Sequence, residues 1–406
     1  MDPAAAVTRR DDLPSLTGLR FWAALLVVFY HLSREYHPLP LLSPLVWYGR
    51  DGVTFFFVLS GFVLTWSGGG RGGPARVFYW RRFARIWPLH LLATGLGLAV
   101  TALLGAALPL TAALWSLPLL QAWSPAEVYG GNPAAWSLSA EAWFYLLTPA
   151  LLRFLRRCGD RAPALLAAGA CAAGVGCWLG GALVASPALR EWLLDYLPLA
   201  RTPQFLLGAA AAVAVRRGWR PPVGLGTAVG AVLLWHAALI PWSAAVPDAR
   251  WYSPYSGSQA LVAPLFALLV AAAAVRDTAR GTGVSGTGVG GGFPGGGVTR
   301  RLGHWSFAWY LVHQSCLRLA LLLCGPPRGV RAAAAGWLLV TTASLGLAAV
   351  LYQWVERPLE RWLRALGPRP PEQHGVPDPV VPRARHAGSV VPAEPDQLLW
   401  SRSTAE

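Results

Sequence analysis

The sequence predicts an all-α protein, a polytopic membrane helix bundle of about ten transmembrane helices. Of its 406 residues, 54% are hydrophobic and only 13% are charged, whereas soluble domains are about 25% charged. The chain has 21 tryptophans, and tryptophan side chains anchor helices at the two membrane interfaces. About ten apolar segments are long enough to cross a bilayer as helices; they occupy residues 16–32, 49–67, 88–108, 137–155, 162–185, 191–215, 222–240, 259–275, 302–323 and 332–355. The sixth contains several charged residues, including Asp195 and Arg201, so we expect its span to be shorter, about 197–215.

The distribution of positive charge predicts the orientation. The net charge is +15, and the arginines cluster in alternate connections between the apolar segments. Because positive residues mark cytoplasmic loops, we predict a multi-pass protein of the cell (plasma) membrane with both termini in the cytoplasm. The loops at 68–80 and 277–300 then lie inside the cell, and those at 109–136 and 241–258 lie outside. The arginines do not follow one soluble face, so we expect contact with the lipid bilayer and no nucleic acid partner.

The chain divides into three parts around these segments. Residues 1–13 form a cytoplasmic N-terminal segment, residues 14–365 form the transmembrane domain, and residues 366–406 form a tail that is rich in proline and polar residues. We expect that tail to be disordered. The glycine-rich stretch at 277–300 predicts a cytoplasmic linker, because no strand precedes it as a dinucleotide-binding loop requires. The five cysteines lack the spacing of metal ligands, so no metal site is expected.

The first apolar segment, LTGLRFWAALLVVFYHL, carries two ionisable side chains, Arg20 and His31. Their spacing corresponds to about three helical turns, so both lie on one helix face, roughly 16 Å apart along the axis. Ionisable groups inside a membrane are costly and indicate a functional site by default. Arg20 could instead reach lipid phosphates at the surface, and His31 could simply bond a backbone carbonyl.

The fourth segment begins WSLSAEAWFY and places Glu141 at a depth similar to that of His31. A buried carboxylate needs a partner, and an imidazole is a suitable one. A His31–Glu141 pair would orient the ring as a general base for a hydroxyl. Glu141 could equally face water at the start of its helix, where the helix dipole favours an acid.

Two arginines, Arg82 and Arg85, share one face at the cytoplasmic start of the third helix. This spacing suits forked guanidinium contacts with a polyphosphate. The charge rule for membrane loops would also place arginines there.

Two other segments carry small or polar residues on one helix face. In the second segment, Ser60 and Gly61 predict close packing between helices. In the ninth segment, HWSFAWYLVHQ aligns Ser306, Tyr310 and His313 on a stripe that faces the bundle interior. This stripe predicts a polar cavity, and its three residues are candidates for substrate binding.

Taken in order, six motifs closely resemble the acyltransferase-3 family of integral-membrane O-acyltransferases. They are LTGLRFWAALLVVFYH, GVTFFFVLSGF, RRFARIWP, WSLSAEAWFY, SFAWYLVH and VERP. The resemblance covers about residues 14–360. Members of the family acylate hydroxyls of bacterial polysaccharides, peptidoglycan and some macrolide antibiotics. Thr54 departs from the family pattern, because many members carry an acidic residue there, so no catalytic role is assigned to it.

The resemblance implies roles for individual residues. Arg20 and His31 match the family's arginine–histidine marker, whose histidine is taken as catalytic, and Arg82 and Arg85 match paired arginines implicated in the use of acyl-coenzyme A. We therefore expect His31 and Glu141 to be catalytic and the three arginines to bind the donor. The coenzyme arm, on the order of 15–20 Å long, matches the distance from Arg20 to His31 along the helix.

The expected reaction is the transfer of an acyl group, most simply acetyl, from acyl-coenzyme A to a hydroxyl of a carbohydrate or macrolide-type acceptor. Acyl-coenzyme A, for which acetyl-coenzyme A is the simplest choice, is then a co-substrate, and no cofactor is bound permanently. The sequence does not distinguish direct transfer from an acyl-histidine intermediate. It also leaves open the acceptor, the side of the membrane on which the acceptor binds, the acyl chain length and the oligomeric state.

Two other classes of protein share some of these features. A polytopic transporter of a small polar metabolite or glycan would also have many spans and a polar interior. Transporters often contain internal repeats, and the two halves of this sequence show no such similarity. A non-catalytic assembly protein would not need both His31 and the arginine pair. Acyl transfer by the purified protein separates these alternatives.

Overall fold

The computed structural model describes residues 13–68, 74–106, 110–248, 250–281 and 294–368, and these contain helices and turns but no β-strand. Each of the apolar segments contains one long helix, which confirms the all-α membrane bundle. The ten helices of 18 or more residues in this part of the chain are α1 Pro14–His31, α2 Asp51–Gly68, α3 Ala75–Leu103, α4 Trp136–Arg157, α5 Ala162–Gly180, α6 Pro198–Arg216, α7 Leu225–Ala245, α8 Pro254–Gly281, α9 Gly297–Cys324 and α10 Val330–Leu351.

Several helix boundaries differ from the predicted ones. Helix α3 begins at Ala75, well before the predicted segment, because the arginine-rich RRFARIWP is itself helical. Helix α6, by contrast, begins at Pro198, close to the expected start at 197, and a proline is tolerated in the first helical turn. Helix α8 extends into the predicted glycine-rich linker as far as Gly281, and helix α9 begins within that linker, at Gly297. The rest of that linker, 282–293, lies outside the described residues.

Two other predicted segments also fall outside the described part of the chain. Residues 1–12 of the predicted N-terminal segment and residues 369–406 of the predicted tail are not described. The predictions for these segments therefore stay predictions.

Eight helical segments among the described residues are long and apolar enough to cross a membrane. Helices α4 and α6 are not among them, although they are 22 and 19 residues long. Both carry polar side chains within the bundle, such as Glu141 in α4 and the fully buried Arg201 in α6. Because α6 is largely buried among other helices, it needs no continuous apolar surface toward lipid. The chain is a multi-pass membrane protein.

The core of the bundle depends on close helix contacts. Helix α1 packs against α9 and α2, and α2 packs against α6. A Cβ atom at Gly61 would overlap the backbone of Phe205, and one at Gly208 would overlap the backbone of Val58. Only glycine permits this approach of α2 and α6, which confirms the packing role predicted around Gly61.

Short elements connect the long helices and position the candidate site. A π-helical turn, Leu32–Tyr36, continues α1, and another, Tyr352–Glu356, joins α10 to a terminal helix α11, Arg357–Leu366. Helix α11 packs on α3, where the indole of Trp80 donates a hydrogen bond to the Leu363 carbonyl at 2.7 Å. The remaining short elements are helices Ser43–Val46, Leu110–Ser116 and Pro187–Glu191, 3₁₀ turns Gln121–Trp123, Pro133–Ala135 and Gly181–Leu183, and a π turn Trp192–Tyr196.

Candidate active site

Two cavities lie one after the other along α1. The arginine cavity has a volume of about 330 Å³, and its polar lining includes Arg20, Ser60, Arg82, Arg85, Glu141, Tyr145 and Ser306. The histidine cavity has a volume of about 450 Å³, and its polar lining includes Tyr30, His31, Glu35, Arg50, Asp195, Tyr255 and Gln314. Val53 and Tyr310 line both cavities. The two cavities therefore share a wall at these two side chains.

His31 lies in the histidine cavity and is paired with Glu35. Its Nδ1 lies 2.6 Å from Glu35 Oε1. Since a carboxylate only accepts hydrogen bonds, Nδ1 donates to Glu35, and in the neutral imidazole Nε2 carries the lone pair. The amide of Gln314 on α9 donates to the same Glu35 oxygen at 3.1 Å and fixes that carboxylate from the other side. This arrangement leaves His31 Nε2 as a base that can accept a proton.

The local structure after α1 brings these two side chains together. Residues i and i+4 share a helix face, and the π turn Leu32–Tyr36 continues the helix past His31. His37 is extended, with φ −169° and ψ 130°, because a residue before proline avoids the helical region. Pro38 thus ends the turn just after Glu35 has been placed against the imidazole. Short π-helical turns within helices occur frequently at functional sites.

The predicted His31–Glu141 pair is wrong. Glu141 lies in the arginine cavity, where its Oε1 accepts hydrogen bonds from Tyr145 at 2.7 Å and from Ser60 at 3.3 Å. These hydroxyls, not the imidazole, satisfy its carboxylate. Glu35 takes the place that was predicted for Glu141, since it is adjacent to His31 in the same helical stretch.

The structure brings the three predicted arginines into one cavity but gives them different partners. Arg85 Nη1 donates to Glu356 at 2.7 Å and to Glu360 at 3.0 Å, both from the C-terminal part of the chain. The Nε atoms of Arg20 and Arg82 are buried and have no hydrogen-bond partner among the described residues. Of the three arginines, Arg20 and Arg82 are therefore the two whose Nε atoms are available to donate a hydrogen bond to an anion.

Arg85 contributes to the fold through a partly buried ion pair. Its side chain is 26% exposed, and that of its partner Glu356 is 1% exposed. Removing Arg85 would leave the buried Glu356 carboxylate without this positively charged partner, which is strongly destabilising. Arg82 forms no ion pair among the described residues, and its guanidinium lies near the rings of Phe78 and Tyr145 at 5.5 and 5.9 Å.

The predicted polar stripe on α9 is buried, but its three residues differ in surroundings. Ser306 lines the arginine cavity and donates to the Gly303 carbonyl at 2.7 Å, while Tyr310 lines both cavities. His313 packs on His31, with ring centroids 5.1 Å apart. Its Nδ1 donates to the Tyr310 carbonyl at 2.6 Å, and its buried Nε2 has no partner among the described residues.

A buried ion cluster in the wall of the histidine cavity was missed by the sequence analysis. Asp195 forms ion pairs with both Arg50 and Arg201, and Arg201 also donates to the Asp195 backbone carbonyl at 2.7 Å from Nε. In the sequence, these charges only shorten the sixth apolar segment. Ionisable residues at membrane depth usually have partners or functions, which is the signal that points to this cluster.

Aromatic side chains form much of the remaining wall of the histidine cavity. The hydroxyls of Tyr30 and Tyr255 are 3.1 Å apart, and Tyr129 donates to Tyr196 at 2.6 Å. Trp136 packs edge-on against Tyr196, with centroids 4.8 Å apart. Such a mixed aromatic and polar wall is typical of small-molecule sites.

Comparisons with known proteins show which family the chain belongs to. A family model described as an acyltransferase domain matches residues 13–353. The chain belongs to the acyltransferase-3 family. It is 33% identical over 400 residues to Acyltransferase MdmB of Streptomyces mycarofaciens, which covers 92% of this chain and 97% of that protein. A shorter match, 34% identical over 188 residues, links 40% of this chain to 49% of Nodulation protein 10 of Rhizobium leguminosarum bv. viciae.

No solved structure matches the chain. The family confirms the resemblance predicted from the motifs. The protein is an acyltransferase embedded in a membrane by multiple helices.

Proposed function

We propose that this acyltransferase moves an acyl group, most simply acetyl, from acyl-coenzyme A to a hydroxyl of a glycan or macrolide-type acceptor, with His31 as general base. The observation that carries the proposal is the pair of cavities along α1. One contains arginines with free hydrogen-bonding capacity, and the other contains an imidazole with a free lone pair.

The donor would bind in the arginine cavity. Arg20 and Arg82 have unpartnered Nε atoms and offer forked contacts to phosphate oxygens. The helical rise puts Arg20 about 16 Å from His31 along α1, which suits the coenzyme arm. The thioester would then lie near Val53 and Tyr310, where the cavities adjoin.

The transfer step needs one base. His31 Nε2 removes the proton of the acceptor hydroxyl as its oxygen attacks the thioester carbonyl carbon. The carbon–sulfur bond then breaks, and the proton on Nε2 passes to the departing thiolate, so the histidine is unchanged after each turnover. Glu35 stabilises the imidazolium that forms transiently, because its carboxylate lies against Nδ1.

The orientation in the membrane follows from the arginine distribution. We propose that the arginine cavity opens on the cytoplasmic side of the plasma membrane, with both termini in the cytoplasm. Acyl-coenzyme A then enters from the cytoplasm. The aromatic wall of the histidine cavity, with Tyr30, Trp136 and Tyr255, suits the faces of sugar or macrolide rings.

The test of the donor site is the Arg82→Gln variant. In a purified preparation, acceptor-dependent release of free coenzyme A thiol measures transfer and separates an acyltransferase from a transporter. Since a charge-assisted hydrogen bond contributes about 1.5–3 kcal/mol, the Michaelis constant for acetyl-coenzyme A should rise by roughly tenfold or more. The turnover number should stay close to that of the wild type.

The matched control is Arg81→Gln. Arg81 is the neighbouring arginine on the same helix, and it is exposed and does not line the arginine cavity. Its substitution should leave the Michaelis constant unchanged. An unchanged Michaelis constant in Arg82→Gln, or an equal rise in both variants, would remove Arg82 from the donor site. Absence of thiol release from the wild type would contradict acyl-coenzyme A as the donor.

A further inference from the structure

A basic groove lies on the outside of the bundle, at the end where Arg85 pairs with the C-terminal segment. It has a volume of about 890 Å³ and lies between the start of α9 and the segment that joins α10 to α11. Three arginines line it, Arg301 from α9 and Arg357 and Arg361 from α11. The transfer reaction proposed above makes no use of these residues.

The charge of the groove is not compensated within the described chain. None of its three arginines forms an ion pair with a described carboxylate, and no acidic residue lines it in the described ranges. The nearby carboxylates of Glu356 and Glu360 are bonded to Arg85 instead. The groove therefore presents three guanidinium groups that suit the binding of an anion.

Aromatic side chains flank the arginines. Trp354 is 76% exposed, and Trp305 and Tyr352 line the groove beside it. The segment Val330–Leu366 is itself apolar enough to enter a membrane. Exposed tryptophan beside arginine, at the end of a membrane-spanning segment, is typical of the level of the lipid headgroups. A freely soluble anion, unlike a lipid, would make no use of these large aromatic side chains.

We propose that the groove binds the phosphate headgroup of one anionic phospholipid. Arg301, Arg357 and Arg361 contact the phosphate and the negatively charged part of the headgroup. Trp354 and Trp305 pack against the glycerol and the upper acyl chains. The lipid thus bridges α9 and the junction of α10 with α11.

The position of the groove links it to the arginine cavity. On α9, Trp305 lines the groove, while the next residues, Ser306 and Phe307, line the arginine cavity. On the other side, Glu356 bonds to Arg85, and its neighbour Arg357 lines the groove. A bound lipid should therefore hold α9, which lines that cavity, against the segment whose Glu356 bonds to Arg85 of the cavity, and should stabilise the folded protein.

The test is a titration of the full-length protein, in neutral detergent, with phosphatidylglycerol and separately with phosphatidylcholine. Native mass spectrometry counts the bound lipids, and the thermal unfolding midpoint reports stabilisation. We expect one phosphatidylglycerol to bind at least about tenfold more tightly than phosphatidylcholine and to raise the midpoint. The variant Arg301→Gln/Arg357→Gln/Arg361→Gln should lose this preference.

The matched control is Arg153→Gln/Arg156→Gln/Arg157→Gln. It removes the same number of exposed arginines from the end of α4, and it should bind phosphatidylglycerol as the wild type does. Equal weakening in both variants would overturn the site in favour of general surface charge. Displacement of the lipid by millimolar inorganic phosphate would assign the groove to a soluble anion. If the groove variant does not fold, Arg357→Gln alone should weaken binding severalfold, and wild-type binding by that variant would contradict the proposal.

Discussion

The His31→Gln variant is expected to fold and insert normally but to lose acyl transfer by about 10²–10⁴-fold. Glutamine can donate and accept hydrogen bonds, but it cannot take up the proton of the attacking hydroxyl. The side chain of His31 is 21% exposed, so its replacement should create only a small packing defect. His31→Ala should be equally inactive. The measurement is the turnover number for acceptor-dependent thiol release at saturating acetyl-coenzyme A.

A second readout separates a lost base from a damaged fold. In the proposed mechanism the donor binds in the arginine cavity, so the affinity of His31→Gln for acetyl-coenzyme A should match that of the wild type. Turnover close to the wild-type value would show that His31 is not the base. The next candidate would then be His313, whose buried Nε2 has no partner among the described residues.

The Asp195→Asn variant is expected to be strongly destabilised. Asp195 is the shared partner of Arg50 and Arg201, whose side chains are 8% and 1% exposed. Breaking a buried ion pair from one side leaves an uncompensated charge, which costs about 3–5 kcal/mol. Here the neutral amide would leave two buried guanidinium groups without their carboxylate. The measurement is the thermal unfolding midpoint in detergent, which should fall by several degrees.

The control for this substitution is Asp160→Asn. Asp160 is fully exposed and lies 3.9 Å from Arg217, at the surface. Exposed ion pairs contribute little, so the unfolding midpoint of this variant should not change measurably. If Asp195→Asn were as stable as Asp160→Asn, the buried cluster would not be a stabilising element of the histidine cavity.

The helix bundle was predictable because membrane helices need long apolar segments, and each such segment contains a helix. The start of α3 and the burial of α6 were harder to predict. Helix α3 extends through a basic stretch that resembles a loop, and α6 carries Arg201 inside the bundle. A helix that other helices surround does not need an apolar surface toward the lipid.

Part of the candidate site was predictable for the same reason. Arg20 and His31 lie in one helix, so their relative positions follow from helical geometry alone. Glu35 was missed because the first helix was expected to end at residue 32, whereas the π turn extends it to Tyr36. The i, i+4 spacing of His31 and Glu35 was visible in the sequence and would have indicated the pair.

The long-range partners could not be read from the sequence. Depth in the membrane suggested that Glu141 and His31 were neighbours, but depth does not determine which face of α4 meets α1. Likewise, Arg85 and Glu356 are 271 positions apart, and no local pattern connects them. Such pairs depend on how whole helices pack, which a single sequence does not specify.

The central claim is that Glu35, not Glu141, holds His31 as the base. The most direct measurement compares the turnover numbers of Glu35→Gln and Glu141→Gln at saturating donor and acceptor. We expect Glu35→Gln to lower the turnover number by about 10²-fold or more, because the amide no longer fixes the imidazole tautomer or stabilises its charge. In the described part of the chain the Glu141 carboxylate accepts its hydrogen bonds from Tyr145 and Ser60, so Glu141→Gln should keep a turnover number within a few fold of the wild type. A larger loss in Glu141→Gln than in Glu35→Gln would contradict the assignment.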